Sequence, residues 1–189
     1  MVVAMKSHER RKILIDRMEE LARQGQDCQN CAGTCCTFEA NSMMVTPLEA
    51  WEIFEFLKSS DLLDQDLKEK IFKTIKEFRL DQSTGNGKRS FIRRTYTCPF
   101  FHHRELGCAL PKEVKPYGCL AFNAHHETIK AKEFCYSEKK LLMERDELFS
   151  KQEEMENERV KNQYKIYWDK LPLPVALVDF FNADDQQSN

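Results

Sequence analysis

The chain has 189 residues, a net charge of -2, 41% apolar residues, 11% aromatic residues and a mean hydropathy of -0.62. This length and composition allow one domain with a buried core, and a charge so close to neutral supplies no bulk attraction for nucleic acid or an anionic membrane. No run approaches the roughly 18 apolar residues of a membrane-spanning helix. The N-terminal stretch MVVAMKSHERRKILIDRM lacks a secretory apolar segment, with charges from Lys6 onward. A cytoplasmic location is expected, where thiols stay reduced.

Ser7 can cap a first helix running to about Arg23, with Ile13, Leu14, Met18, Leu21 and Ala22 as its apolar stripe. Gly25 ends it. Thr46, Pro47 and Glu49 form a capping box with proline at the first helical position. The helix they start places Leu48, Ala50, Trp51, Ile53, Phe54 and Leu57 on a broad apolar face. A third helix fits 61–80, with Leu67, Ile71, Ile75 and Phe78 inward.

DQSTGNGKRS reads as a turn or loop, and SFIRRTYT as a short strand. CPFFHHRELGCAL is a hairpin or loop closing on Cys98 and Cys108. A turn with Pro116 and Gly118 as breakers precedes Cys119, and ETIKAKEFCY reads as another strand. From Ser137 to about Leu171 the pattern is helical and dense in both charge signs. Its polar middle, SKQEEMENERVKNQ, suggests a solvated projection or a break. Pro172 and Pro174 are expected to stop it, before a short apolar element and a frayed tail.

Eight cysteines carry the strongest chemical signal. Cys28, Cys31, Cys35 and Cys36 form C-x2-C-x3-C-C, and Cys98, Cys108, Cys119 and Cys135 follow at wide spacing. C-x2-C points two sulfurs to one side of a tight loop, as zinc and iron–sulfur sites require. Buried core thiols explain one or two cysteines but not four within nine positions. The adjacent pair Cys35–Cys36 diverges by about 100° in a helix and points to opposite faces in a strand. The two therefore serve different sites, or one ligates and the other is a thiol beside the metal. A zinc ribbon would show a second C-x2-C, which is absent, and Cys98-Pro99 is similar to the pair that ends a bacterial ferredoxin run. Spacing leaves zinc and iron–sulfur open.

Lys88, Arg89, Arg93, Arg94, Arg104, Lys112 and Lys115 surround Cys98 and Cys108, against Glu105 and Glu113. These cations suit a four-thiolate centre, whose formal excess is about two negative charges. A nucleic-acid patch with Phe91, Tyr96, Phe100 and Phe101 as stacking residues is the competing reading, and the overall charge argues against it. His102, His103, His125 and His126 read as surface or supporting residues, since eight sulfurs leave imidazole ligands unnecessary. GNGKRS is no P-loop, because Gln82 and Arg89 stand where glycine and Ser/Thr are needed.

The order of these pieces resembles the YkgJ-like cysteine-cluster family, described as a putative zinc- or iron-chelating CxxCxxCC domain and an Fe–S-cluster-containing protein. The resemblance covers about Gln26 to Tyr136 and rests on the first cysteine run, Cys98-Pro99-Phe100-Phe101, Gly107-Cys108 and Lys115-Pro116-Tyr117-Gly118-Cys119. Three residues, Ala32-Gly33-Thr34, stand before the cysteine pair where the family label has two. Ala109-Leu110 replaces a common Ile-Tyr, Lys115 a usual arginine, and Leu120 a common arginine. Larger relatives couple such a domain to lysine N-methylation of flagellin. No residue here identifies a methyl donor or lysine substrate, so that activity is not carried over.

The resulting expectation is a mostly helical α+β fold with an irregular cysteine-rich metal-binding core, short strands and a long charged C-terminal helix. Its parts are an N-terminal helix (1–25), a cysteine-cluster domain (26–136), a helical extension (137–182) and a disordered tail (183–189). The expected ligands are Cys28, Cys31, Cys35, Cys36, Cys98, Cys108, Cys119 and Cys135. They would hold an iron–sulfur cluster, [4Fe-4S] first, or zinc as the alternative, in a structural or interaction module. A redox or protein-modifying role, with a protein partner and no membrane, is the functional expectation; the sequence does not decide whether the chain is an enzyme.

Overall fold

The computed structural model describes residues 7–25, 33–82, 94–102, 107–123 and 136–187. It is a mostly helical α+β protein. Helix α1 (Ser7–Arg23) buries Leu14, Ile15, Met18 and Leu21, and on the same face Arg10 and Arg11. Helix α2 (Pro47–Ser59) starts at the capping box: Thr46 accepts from the Glu49 amide and Glu49 accepts from the Thr46 amide. Its expected face is buried at Leu48, Ala50, Ile53, Phe54 and Leu57, while Trp51 packs partly buried. Helix α3 (Gln65–Phe78) is capped by Asp64 and turns Ile71 fully inward, with Leu67, Ile75 and Phe78 at the core margin.

Helix α4 (Tyr117–Leu120) is a single turn, followed by strand β2 (Phe122–Asn123), which pairs antiparallel with β3 (Tyr136–Ser137). Helix α5 (Lys139–Tyr164) runs unbroken for 26 residues. The polar middle expected to project or break instead packs on α2, because Asn157 accepts the Leu48 amide at 2.9 Å and Val160 is fully buried. Lys165, in the left-handed region, ends α5 before either proline. Pro172 lies in β4 (Leu171–Pro172), which pairs antiparallel with β1 (Met44–Val45), and Pro174 lies in the first turn of α6 (Leu173–Gln187). The short apolar element expected here is thus a full helix, and it continues through Gln187, where a frayed tail is expected.

The main core joins α2, α3, α6 and the β1–β4 pair, with Phe54 stacked on Phe180 at 5.8 Å. A second, smaller core of Leu14, Ile15, Met18, Tyr117, Leu120 and Ala121 ties α1 to α4. The expected strand at SFIRRTYT is not formed at its described end: Arg94 to Thr97 carry no ladder. There Tyr96 donates its amide to the Asn41 carbonyl, and the Asn41 side chain donates to the Tyr96 carbonyl. An asparagine side chain thus replaces a second strand. The rest of that segment lies outside the described residues. Gly118, expected to break structure, sits inside α4; the turn lies earlier, at Lys112 to Val114, where the Pro111 carbonyl accepts the Val114 and Lys115 amides, and Pro116 stands at the N-cap of α4. No helix of the described residues is long and apolar enough to cross a membrane.

Candidate metal centre

Three segments distant in sequence converge on one pocket of about 70 Å3, lined by Cys35, Cys36, Cys98, Cys108 and Cys119. The first is the 3-10 turn Thr34–Cys36. Gly33 opens it at φ 75°, and the Gly33 carbonyl accepts the Cys36 amide at 2.7 Å. A Cβ at Gly33 would lie 2.1 Å from the Phe101 ring, so the turn closes on the second segment only because this residue has no side chain.

The second segment is the hairpin around Cys98 and Cys108. Phe101 and Cys108 form an antiparallel bridge, His102 donates to the Gly107 carbonyl, and Ala109 donates to the Phe100 carbonyl. This confirms the expected closure, although residues 103–106 lie outside the described set. The Cys98 amide donates to the Cys36 carbonyl at 2.7 Å, which fixes the two cysteine segments side by side. The Phe100 amide hydrogen-bonds the Cys98 sulfur and the Leu110 amide the Cys108 sulfur. Backbone N–H groups two residues on, aimed at a sulfur, stabilise a thiolate.

Helix α4 carries the third segment. Burial pushes the Cys119 thiol well up, and Cys98, Cys108 and Cys36 push it further, against the opposing cation Lys115. Burial also raises Cys98, with Cys108 and Cys36 adding to it and Lys70 opposing, and it raises Cys108 against Lys115. Cys36, Cys98, Cys108 and Cys119 thus share one electrostatic neighbourhood. All five cysteines are half-buried, and none is in a disulfide. Lys115 is a buried cation in the pocket lining.

Cys28, Cys31 and Cys135 lie outside the described residues, as do His103, His125, His126, Arg104, Lys88, Arg89 and Arg93. His102 is exposed. Among the described residues no group of three or more His, Cys, Asp or Glu stands close enough together to hold a metal ion as it is. Tyr96, Phe100 and Phe101, read as base-stacking candidates, are 0%, 2% and 4% exposed and form the pocket's support instead.

Behind α4 lies a buried ionic network without any sequence signal. Tyr117 is sandwiched between Arg145, 3.4 Å from its ring centroid, and Arg11 at 4.7 Å. Its hydroxyl accepts from Arg10, and its amide donates to Glu49 at 2.9 Å. Arg10 pairs with Glu52, and Arg145 pairs with Glu153. Arg11 Nη1 lies 2.6 Å from Glu52 Oε2, a charge contact rather than an aligned hydrogen bond, and Arg11 Nη2 has no hydrogen-bond partner among the described residues. Arg10 and Arg11 occupy positions of the α1 stripe next to its apolar residues; a double arginine there reads from sequence as a solvated edge. Met43, which lines the pocket beside Cys119, also escaped the sequence reading, because a lone methionine reads as core.

No match to this chain is found among family models, curated proteins or solved structures.

Proposed function

We propose that the protein is a metal-binding protein whose cysteine thiolates hold an iron–sulfur cluster, most simply [4Fe-4S]. The observation that carries this reading is the convergence of Cys35, Cys36, Cys98, Cys108 and Cys119 from three segments on one pocket. Chance burial of thiols supplies no reason for amides to aim at Cys98 and Cys108 or for Lys115 to be buried among sulfurs. The donor set fits the group: soft sulfur ligands, amide donors to sulfur, and a cation to offset thiolate charge. A cavity of about 70 Å3 exceeds what one water-sized group occupies, which favours a cluster over a single ion. Cys28, Cys31 and Cys135 complete the proposed ligand set, and the resemblance to the YkgJ-like family belongs to the same proposal.

A bound cluster would supply electron transfer or a Lewis-acidic iron. The chain's own residues would orient sulfurs and limit water: Phe101 over Gly33, and the Tyr96–Asn41 pair behind Cys98 and Cys119. In zinc the same thiols would form a structural centre for a partner-binding module. The test is an anaerobic visible spectrum with iron, sulfide and zinc quantified on one sample. A broad visible charge-transfer band with stoichiometric iron and sulfide supports the cluster. Stoichiometric zinc without the band supports the alternative, and the absence of both metals sinks the proposal.

A further inference from the structure

A second cavity, of about 990 Å3, runs along α5 beside the cysteine pocket. It is as large as a typical ligand cleft, roughly 300–1,000 Å3. Ser42, Met43 and Phe122 line both spaces. On α4, Gly118 faces the larger cavity and its neighbour Cys119 the smaller. The partition between them at this point is the Met43 side chain, whose Sδ and Cε would each lie 2.9 Å from a Cβ added at Gly118.

The Met43 backbone is held at both ends. Its amide donates to Asn41 Oδ1, and its carbonyl accepts from the Tyr96 hydroxyl at 2.7 Å and the Leu173 amide at 3.3 Å. Its side chain is unbranched, with three rotatable bonds. A fixed backbone bearing a pliant side chain can open a partition by rotamer change alone.

The charged groups of the larger cavity are largely engaged with each other. Arg145 holds Glu153 and Asp146, and Lys161 bridges Glu158 and Asp169. Walls already paired retain a passing ion weakly. The lining nonetheless carries six carboxylates against four Lys and Arg side chains, an excess that favours cations.

The geometry points to the α5 groove as the route by which divalent cations reach the cysteine pocket, with the Met43 side chain as its gate. The cargo rests on the metal-centre reading; the gate rests on the two cavities. A gate changes rates, whereas a ligand changes affinity.

Metal-free protein is mixed with zinc(II) or, anaerobically, iron(II), and loading is followed by stopped flow. Met43→Ala is expected to load about tenfold faster, a barrier change of about 1.4 kcal/mol, with unchanged equilibrium affinity. Ser150→Trp, on the exposed α5 wall of the groove, is expected to load more slowly. Wild-type rates in both variants overturn the route, and a weaker affinity in Met43→Ala at an unchanged rate makes Met43 a ligand instead. If the wild-type protein takes up neither metal, the metal-centre reading fails by itself. Alkylation of Cys119 by iodoacetamide, mapped by mass spectrometry, then decides the gate: faster in Met43→Ala and slower in Ser150→Trp, or overturned by equal rates.

Discussion

Gly33 is the residue on which the pocket turns. It adopts φ 75°, and the Phe101 ring occupies the space of its missing Cβ. Gly33→Ala is expected to destabilise the protein by about 2 kcal/mol or more, from left-handed strain and the steric conflict together. Thermal unfolding measures it, and combination with Phe101→Ala should recover part of the loss if the ring is the cause. The thiols give a pH prediction. Burial raises Cys98, Cys108 and Cys119 in the folded state, so metal-free protein holds their contribution below the ordinary thiol range, about 8.5. That stability is lost as pH rises through the raised folded values. Bound metal takes the deprotonated form and should reverse the trend, with protons released on binding. Denaturant midpoints of both forms from neutral to alkaline pH check this. The cysteines themselves were legible in the sequence. Which of them face one another was not, because sulfur convergence depends on backbone hydrogen bonds such as Cys98 to Cys36, which span 62 positions and leave no local pattern.

Helix α2 shows how far an element can be read in advance. Thr46, Pro47 and Glu49 state its start, and the apolar spacing states its face. What the pattern hides is the second use of Glu49. Its Oε2 closes the capping box while its Oε1 receives the Tyr117 amide of α4, so one carboxylate joins helix start to cysteine segment. Burial raises this carboxyl above its ordinary value, against the lowering effect of the Thr46 and Tyr117 amides. A raised carboxyl contributes stability that is present below the unfolded value and lost as pH rises through the folded one. Glu49→Gln, which carries no charge, is therefore expected to cost less at pH 8 than at pH 4, measured by chemical denaturation. The middle of helix α5 packs although its sequence is charged, because a charged stretch looks solvated until its partners across the fold are known. Glu153 meets Arg10 of α1 and, within α5 itself, Arg145, while Asn157 accepts the Leu48 amide of α2.

Across the whole molecule, the ionic cluster around Tyr117 links α1, α2, α4 and α5. Breaking one member of a buried pair leaves an uncompensated charge and typically costs 3–5 kcal/mol. Arg145→Met should therefore cost about 3 kcal/mol or more in thermal or chemical unfolding, and joint replacement of Arg145 and Glu153 by apolar residues should cost less than Arg145→Met alone. Chelator treatment tests the whole fold against the proposed centre. If the cysteine segments depend on bound metal, removal of it should lower the unfolding temperature and loosen α4 before the α2–α3–α6 core, as hydrogen exchange would resolve.

By itself the sequence determined the helical character of the chain, the start of α2, the inward faces of α2 and α3, and a supply of sulfur suited to soft metals. These are local properties, written in caps, periodicity and residue type within a few turns. The tertiary structure alone decided that Cys35, Cys36, Cys98, Cys108 and Cys119 share one pocket, that three arginines are buried around Tyr117, and that Met43 stands between that pocket and a larger groove. Those outcomes depend on contacts between residues tens of positions apart, where burial and charge pairing are set by the partner across the fold rather than by the neighbours along the chain.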